Sequence, residues 1–303
     1  MNTGPVTSVD QKHPGGAQAH GASTGSARRM ASAMVLIVCL LAAVLQGCAA
    51  TNSLWRAQEA FNEASALENA LAADPLHLES GTAGTVTRSA GARAKYEQAQ
   101  SELETLSASE EKQLRADGLW GNLLTLRALT AWRLGEYDQA REAARKARLE
   151  PGLLHPRDTA LIAALPGLIK IDEAYAKIYR NDLPETTSRH KHFQNLRSLL
   201  TSAFSDIDRA RELVHSKHPV QSYLLQAQLA GYVNLLNGYT LWSDQPNAIP
   251  TDAERNRARV WLCTLNELLL TDGDSYAVSP ERIRSFVRGW AHRTGLSVTD
   301  CPR

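Results

Sequence analysis

From Leu54 to the neighbourhood of Arg293, apolar residues recur three and four positions apart, and nowhere do several runs of period-two alternation follow one another. That spacing puts one apolar stripe on each of a series of helices and leaves no set of strands to pair. Composition agrees. The apolar residues are mostly Ala and Leu, which lose little rotamer freedom in a helix, and aromatics make up only 6% of the chain. The expected fold class is therefore all-α.

Start and stop signals divide the pattern. A first amphipathic helix is expected over 54–72, where Leu54, Ala57, Phe61, Ala64, Leu67 and Leu71 share a face, before Asp74-Pro75. Residues 79–91 are rich in Gly, Ser and Thr and read as a loop. Further helices are expected over 91–106, 108–133, 137–149, 168–180, 187–216, 219–242, 252–270 and 280–293, with another opening at Pro156. Ser107-Ala108-Ser109-Glu110 and Thr251-Asp252-Ala253-Glu254 are capping boxes, and Ser279-Pro280 sets a serine N-cap before a proline at the first helical position. Gly135 ends the 108–133 helix, and Pro166-Gly167 is expected to break the pattern between His155-Pro156 and residue 168.

The N-terminus has a different character. Residues 1–27 are dominated by small and polar side chains that cannot build a core. Arg28 and Arg29 precede an apolar run from Met30 to Leu45, which is shorter than the ~20 residues of a spanning helix. A positive flank, a short apolar run and small residues at its end describe a secretory signal. The run closes on Leu45-Gln46-Gly47-Cys48, which resembles the lipobox of bacterial lipoproteins. The resemblance implies that residues 1–47 are removed and that Cys48 carries a diacylglyceryl group and an acylated amine. It also implies, with Ala49 rather than Asp after the cysteine and a Gram-negative host assumed, the outer membrane as the address. The alternative is a short membrane anchor with an incidental cysteine. Several acyl chains hold a protein on its bilayer, whereas one chain is marginal. Residues 48–53 would then be a tether and 54–303 the helical domain.

Two more cysteines lie in the domain, Cys263 and Cys301. An exported chain meets a compartment that permits disulfides, so a bridge that pins the C-terminal tail is one expectation and two unpaired thiols the other.

Residues 120–151, WGNLLTLRALTAWRLGEYDQAREAARKARLEP, resemble a tetratricopeptide (TPR) repeat. The match is closest over Leu134-Gly135-Glu136-Tyr137-Asp138 and at Ala140, Ala144, Ala147 and Pro151. Gly135 suits the turn, Ala128, Ala140 and Ala147 let two helices approach, and Tyr137 fills the space below the turn. Arg127 and Ala144 depart from the pattern. The resemblance implies a TPR-like helical-hairpin array. An unrelated helical bundle with one such hairpin is the other possibility.

The net charge of +1 stays close to neutral once residues 1–47 are set aside, so nothing favours nucleic acid. No G-x-S-x-G, H-E-x-x-H or P-loop pattern occurs. His190 and His192 are two apart and face apart on a helix; His215 and His218 sit near a helix end without further ligands beside them. No metal site, cofactor or catalytic residue is expected. Tyr223, Tyr232, Tyr239 and Trp242 recur along one helix with Asn234 and Asn237 between them; such a helix either supplies core aromatics or lines a partner groove, for which Tyr232, Tyr239 and Trp242 are the candidates. The functional expectation is a non-enzymatic, lipid-anchored scaffold that faces the periplasm and binds a protein or peptide. A small-molecule-binding accessory protein of a transporter is the alternative.

Overall fold

The structure is a computed structural model that describes residues 51–68, 90–150, 155–179, 186–218, 220–242, 249–271 and 280–301. Cys48, Pro151, Ser279 and the 79–89 part of the expected loop lie outside the described residues. Every described residue is helix, turn or connecting segment, and none is strand. The helices are α1 (51–68), α2 (Ala90–Glu104), α3 (Ala108–Ala116), α4 (Trp120–Leu134), α5 (Tyr137–Arg148), α6 (Pro156–Tyr179), α7 (Thr186–Arg211), α8 (Val220–Trp242), α9 (Asp252–Thr271) and α10 (Pro280–Thr294). A 3₁₀ turn at Val298–Asp300 follows. Among the described residues no helix is long and apolar enough to cross a membrane.

Local chemistry sets the ends. Ser107 Oγ accepts the Glu110 N–H at 3.3 Å while Glu110 Oε2 accepts the Ser107 N–H at 2.8 Å. Thr251 and Glu254 make the same reciprocal pair at 3.3 and 2.8 Å. Each pair occupies two backbone donors that a helix start leaves open. The expected 108–133 helix is in fact two, α3 and α4. The chain turns at Asp117-Gly118, with Gly118 at φ 74° and the Leu119 N–H bonded back to the Leu114 carbonyl at 2.8 Å. Gly135 does the same after α4, with φ 84° and the Glu136 N–H on the Ala131 carbonyl at 2.9 Å. Both positions need the left-handed region, which a Cβ disfavours. The stretch expected over 187–216 ends as helix at Arg211.

Pro166-Gly167 does not break its helix. α6 runs through both residues. Pro166 lacks the N–H that would bond the Ile162 carbonyl, and Arg148 Nη2 donates to that carbonyl instead, at 3.1 Å. Gly167 lies against α7: a Cβ there would stand 2.7 Å from the Ala203 carbonyl oxygen. The proline is tolerated because a guanidinium replaces its bond, and the glycine is needed because two backbones meet.

Packing is between near neighbours. α2, α4, α6, α8 and α10 form one row in which each touches the next, and α5, α7 and α9 each pack on the two row members beside them. α1 joins α2 through Phe61 on Tyr96, with ring centroids 5.3 Å apart, and through the Arg56–Glu102 ion pair. Ala128, Ala140, Ala144 and Ala147 are fully or almost fully buried where α4 meets α5, and Tyr137 is half-buried beside them. α8 is buried on nearly every side, from Val220 to Trp242, as suits a helix apolar all round. A disulfide joins Cys263 of α9 to Cys301, so the tail beyond α10 is tied back to α9.

Candidate functional site

α7 and α9 both lie on α8, but their backbones stay apart. Between them lies a partly open groove of about 770 Å³. One wall is α7, with Gln194, Ser198, Thr201, Ser202 and Ser205 on one face at three- and four-residue spacing. The other wall is the start of α9, with Thr251, Ala253, Glu254 and Arg257. The floor is aromatic and apolar: Phe204, Tyr232, Leu235 and Trp261, with Phe204 and Trp261 at 4.8 Å between centroids.

Two ion pairs cross from wall to wall. Arg197 Nε donates to Glu254 Oε1 at 2.7 Å, and Arg257 stands 3.6 Å from Asp208 Oδ2. Glu254 is saturated. Its Oε2 also accepts from the Thr251 N–H and hydroxyl and from the Tyr239 hydroxyl, at 2.8, 2.9 and 2.9 Å. Burial pushes this carboxyl upward, but the Thr251, Arg197 and Tyr239 hydrogen bonds together outweigh it and hold the group below its ordinary range.

Tyr232 is 1% exposed and Trp261 3%, and the Arg257 guanidinium lies 6.0 Å from the Trp261 ring centroid; neither the Tyr232 hydroxyl nor the Trp261 indole N–H is among the buried polar atoms left without a partner. Burial pushes the Tyr232 hydroxyl up to about 12, so it keeps its proton and remains a donor. Among the described residues the hydroxyls of Ser198, Thr201 and Ser205 make no hydrogen bond, and Ser202 accepts from Lys170 at 2.8 Å.

Of the three aromatic residues singled out in the sequence, the groove takes Tyr232 alone. Tyr239 is buried on Phe193, at 4.6 Å between centroids, and its hydroxyl is spent on Glu254. Trp242 is 4% exposed and packs in the core. Neither lines this groove: both are buried, and of α8 only Tyr232 and Leu235 do. Tyr223 also turns inward, to a second polar cluster. There Arg133 Nη2 donates to the Tyr223 hydroxyl at 3.2 Å and Nη1 lies 3.4 Å from Glu68 Oε2, which also accepts from the Tyr96 hydroxyl at 2.8 Å. Trp132 Nε1 donates to Asp172 Oδ2 at 2.8 Å nearby. Burial alone would lower the Arg133 pKa; Tyr223, Glu68, Tyr96 and Asp172 together raise it above its ordinary value. These contacts clamp α1, α2, α4, α6 and α8 together.

No family model matches the chain, and no curated protein and no solved structure does either. The site therefore rests on its own chemistry. Among the described residues no group of three or more His, Cys, Asp or Glu side chains is placed to hold a metal ion. His215 and His218 instead accept backbone N–H groups of Lys217 and Val220 through Nδ1, at 3.2 Å each. Sequence reasoning missed the α7 wall. Its signal was the run of hydroxyl residues at helical spacing, which reads like any solvated face until α9 is set opposite.

Proposed function

We propose that the chain is a lipid-anchored, periplasm-facing lipoprotein of the outer membrane, a non-enzymatic TPR-like scaffold that binds a protein or peptide partner in the groove between α7 and α9. The observation that supports this reading is the groove between two helices, with an aromatic floor and a row of hydroxyl side chains on its α7 wall. A partly open groove between two helices can seat a segment of a partner chain. The succession of helices packed on their near neighbours supports a hairpin array, or solenoid, which presents surface along its length. The lipobox ending at Cys48 supports the anchor, and its acyl chains would hold the domain at the bilayer.

The test is site-specific photo-crosslinking in intact envelopes. A photoreactive residue at Thr201, in the groove, is expected to capture a defined protein, whereas one at Arg145, on the exposed face of α5, is not. Equal capture at both positions, or none at Thr201, contradicts the reading. The groove's volume also falls in the range of small-molecule sites, roughly 300–1,000 Å³. A small molecule retained in native mass spectrometry, with no protein captured at Thr201, favours the transporter-accessory alternative.

A further inference from the structure

We infer that the start of α1 seats on the membrane surface, with the Trp55 indole in the phospholipid headgroup layer and Leu149 facing the bilayer from the same edge of the helical array. The inference rests on the lipid-anchor reading above and adds how the domain meets its membrane.

The exposure of Trp55 carries it. Trp55 is 70% exposed, whereas Trp120, Trp132, Trp242, Trp261 and Trp290 are 9% or less. A ring of that size left in water forgoes a large burial term, and at a membrane interface its apolar body and its polar N–H both find a suitable setting. Chain length brings it there. Thr51, in the first turn of α1, follows Cys48 by three residues. Those span at most about 11 Å, and the four helical residues on to Trp55 add about 6 Å, so Trp55 is held within about 17 Å of the acylated residue. That tether is short enough to keep the ring beside the headgroup layer, which is roughly 5–8 Å deep on each face of a bilayer.

Packing decides which part of α1 meets lipid. Leu54, Ala57, Ala60 and Ala64 are buried, and Phe61 is turned onto Tyr96, so the apolar face of the helix is already covered. Beyond Trp55 its outward face carries Glu59, Asn62 and Glu63, all exposed. An interfacial helix lies flat on an apolar face, which α1 has spent on the protein, so its first turn makes the contact and the rest stands off. Leu149, also 70% exposed, belongs to the same edge. The start of α1 meets the end of α2 at Arg56–Glu102, α2 runs antiparallel to α4 through Gln100–Glu136 and Leu103–Arg127, and the start of α4 meets the end of α5 at Trp120–Glu150. Charges beside the two apolar residues pair with each other, Arg56 with Glu102 at 3.1 Å and Arg115 with Glu150 at 2.8 Å, so the contact is apolar and persists at high salt.

The test reconstitutes the protein, purified from the envelope in detergent, into phosphatidylethanolamine–phosphatidylglycerol vesicles that carry a nitroxide on the lipid headgroup, and reads tryptophan fluorescence. Quenching by the nitroxide is expected, with its loss in Trp55→Phe. In that background Leu149→Trp should restore quenching, and Leu67→Trp, about 18 Å further along α1, should not. Circular dichroism verifies that each variant is folded; the three positions are exposed and none is needed for the core. Quenching that survives Trp55→Phe, or an acylated protein whose fluorescence the headgroup nitroxide leaves unchanged, overturns the inference and leaves the anchor standing. Failure of Leu149→Trp to restore quenching, or restoration by Leu67→Trp, overturns the edge-on placement. Trp55 shielded from the nitroxide and from acrylamide alike points to a second copy of the chain on this edge and overturns the inference too. A chain that mass spectrometry finds without acyl groups on Cys48 overturns both readings.

Discussion

Replacing Arg148 by Met should destabilise the protein, and replacing Pro166 by Ala should make that loss disappear. Pro166 sits inside α6, and the carbonyl its missing N–H would have served belongs to Ile162, a fully buried residue. Arg148 Nη2 reaches that oxygen at 3.1 Å. Methionine keeps much of the aliphatic stem and removes the donor. A hydrogen bond with a charged donor contributes about 1.5–3 kcal/mol, and the partial exposure of Arg148 argues for the lower end, so Arg148→Met should cost about 1–2 kcal/mol. Pro166→Ala restores an N–H that can bond Ile162 within the helix, and a helix-interior proline costs up to ~3 kcal/mol relative to alanine. In that background Arg148→Met should cost less than about 0.5 kcal/mol, which leaves a coupling energy of roughly 1 kcal/mol. Urea unfolding of the four proteins, followed by far-UV circular dichroism, measures the cycle. An equal cost of Arg148→Met in both backgrounds would refute the idea that the guanidinium replaces the proline's missing bond.

Other perturbations test neighbouring points. Gly167→Ala would drive a Cβ into the Ala203 carbonyl oxygen at 2.7 Å, so it should lower stability by about 1–3 kcal/mol despite alanine's better helix propensity; an unchanged midpoint would show that α6 and α7 are not in backbone contact there. The disulfide spans 38 residues, and on the chain-entropy model its replacement in Cys263→Ser/Cys301→Ser should cost about 4 kcal/mol, read as a drop in thermal midpoint that reductant does not increase further. Glu254 is held below its ordinary value of 4.5, so its contribution is fully present above that pH and is lost as pH falls through the depressed folded value; Glu254→Gln should flatten the thermal midpoint between about pH 5 and pH 3, and an unaltered slope would count against the hydrogen-bond cluster. Trp55 is 70% exposed, whereas Trp120, Trp132, Trp242, Trp261 and Trp290 are 9% or less, so Trp55→Phe should remove most of the acrylamide-quenchable fluorescence.

What the sequence discloses about this fold is mainly what is local. The capping boxes at Ser107 and Thr251 are four-residue events, and the chemistry that names them also makes them. The left-handed turn at Gly135 is likewise fixed by the glycine itself. The division of α3 from α4 was hidden because the apolar period carries on through Asp117-Gly118, although that pair is a turn signal in its own right. Pro166 misleads for the converse reason. Proline ends a helix unless something distant supplies the lost bond, and Arg148 is in the preceding helix. The groove was legible only in part. Tyr232 stands out in an aromatic series, but Tyr239 and Trp242 share that series and are core. What separates them is the position of α7 and α9 over α8, which no spacing within α8 encodes.

The claim that places the protein in the cell concerns Cys48, and intact-mass and tandem mass spectrometry of the protein purified from its native envelope tests it. A chain beginning at Cys48, with Ala49 next and the added mass of acyl chains on the first residue, is the predicted result. A chain that retains Met30–Leu45, or one that begins elsewhere with an unmodified Cys48, would contradict it.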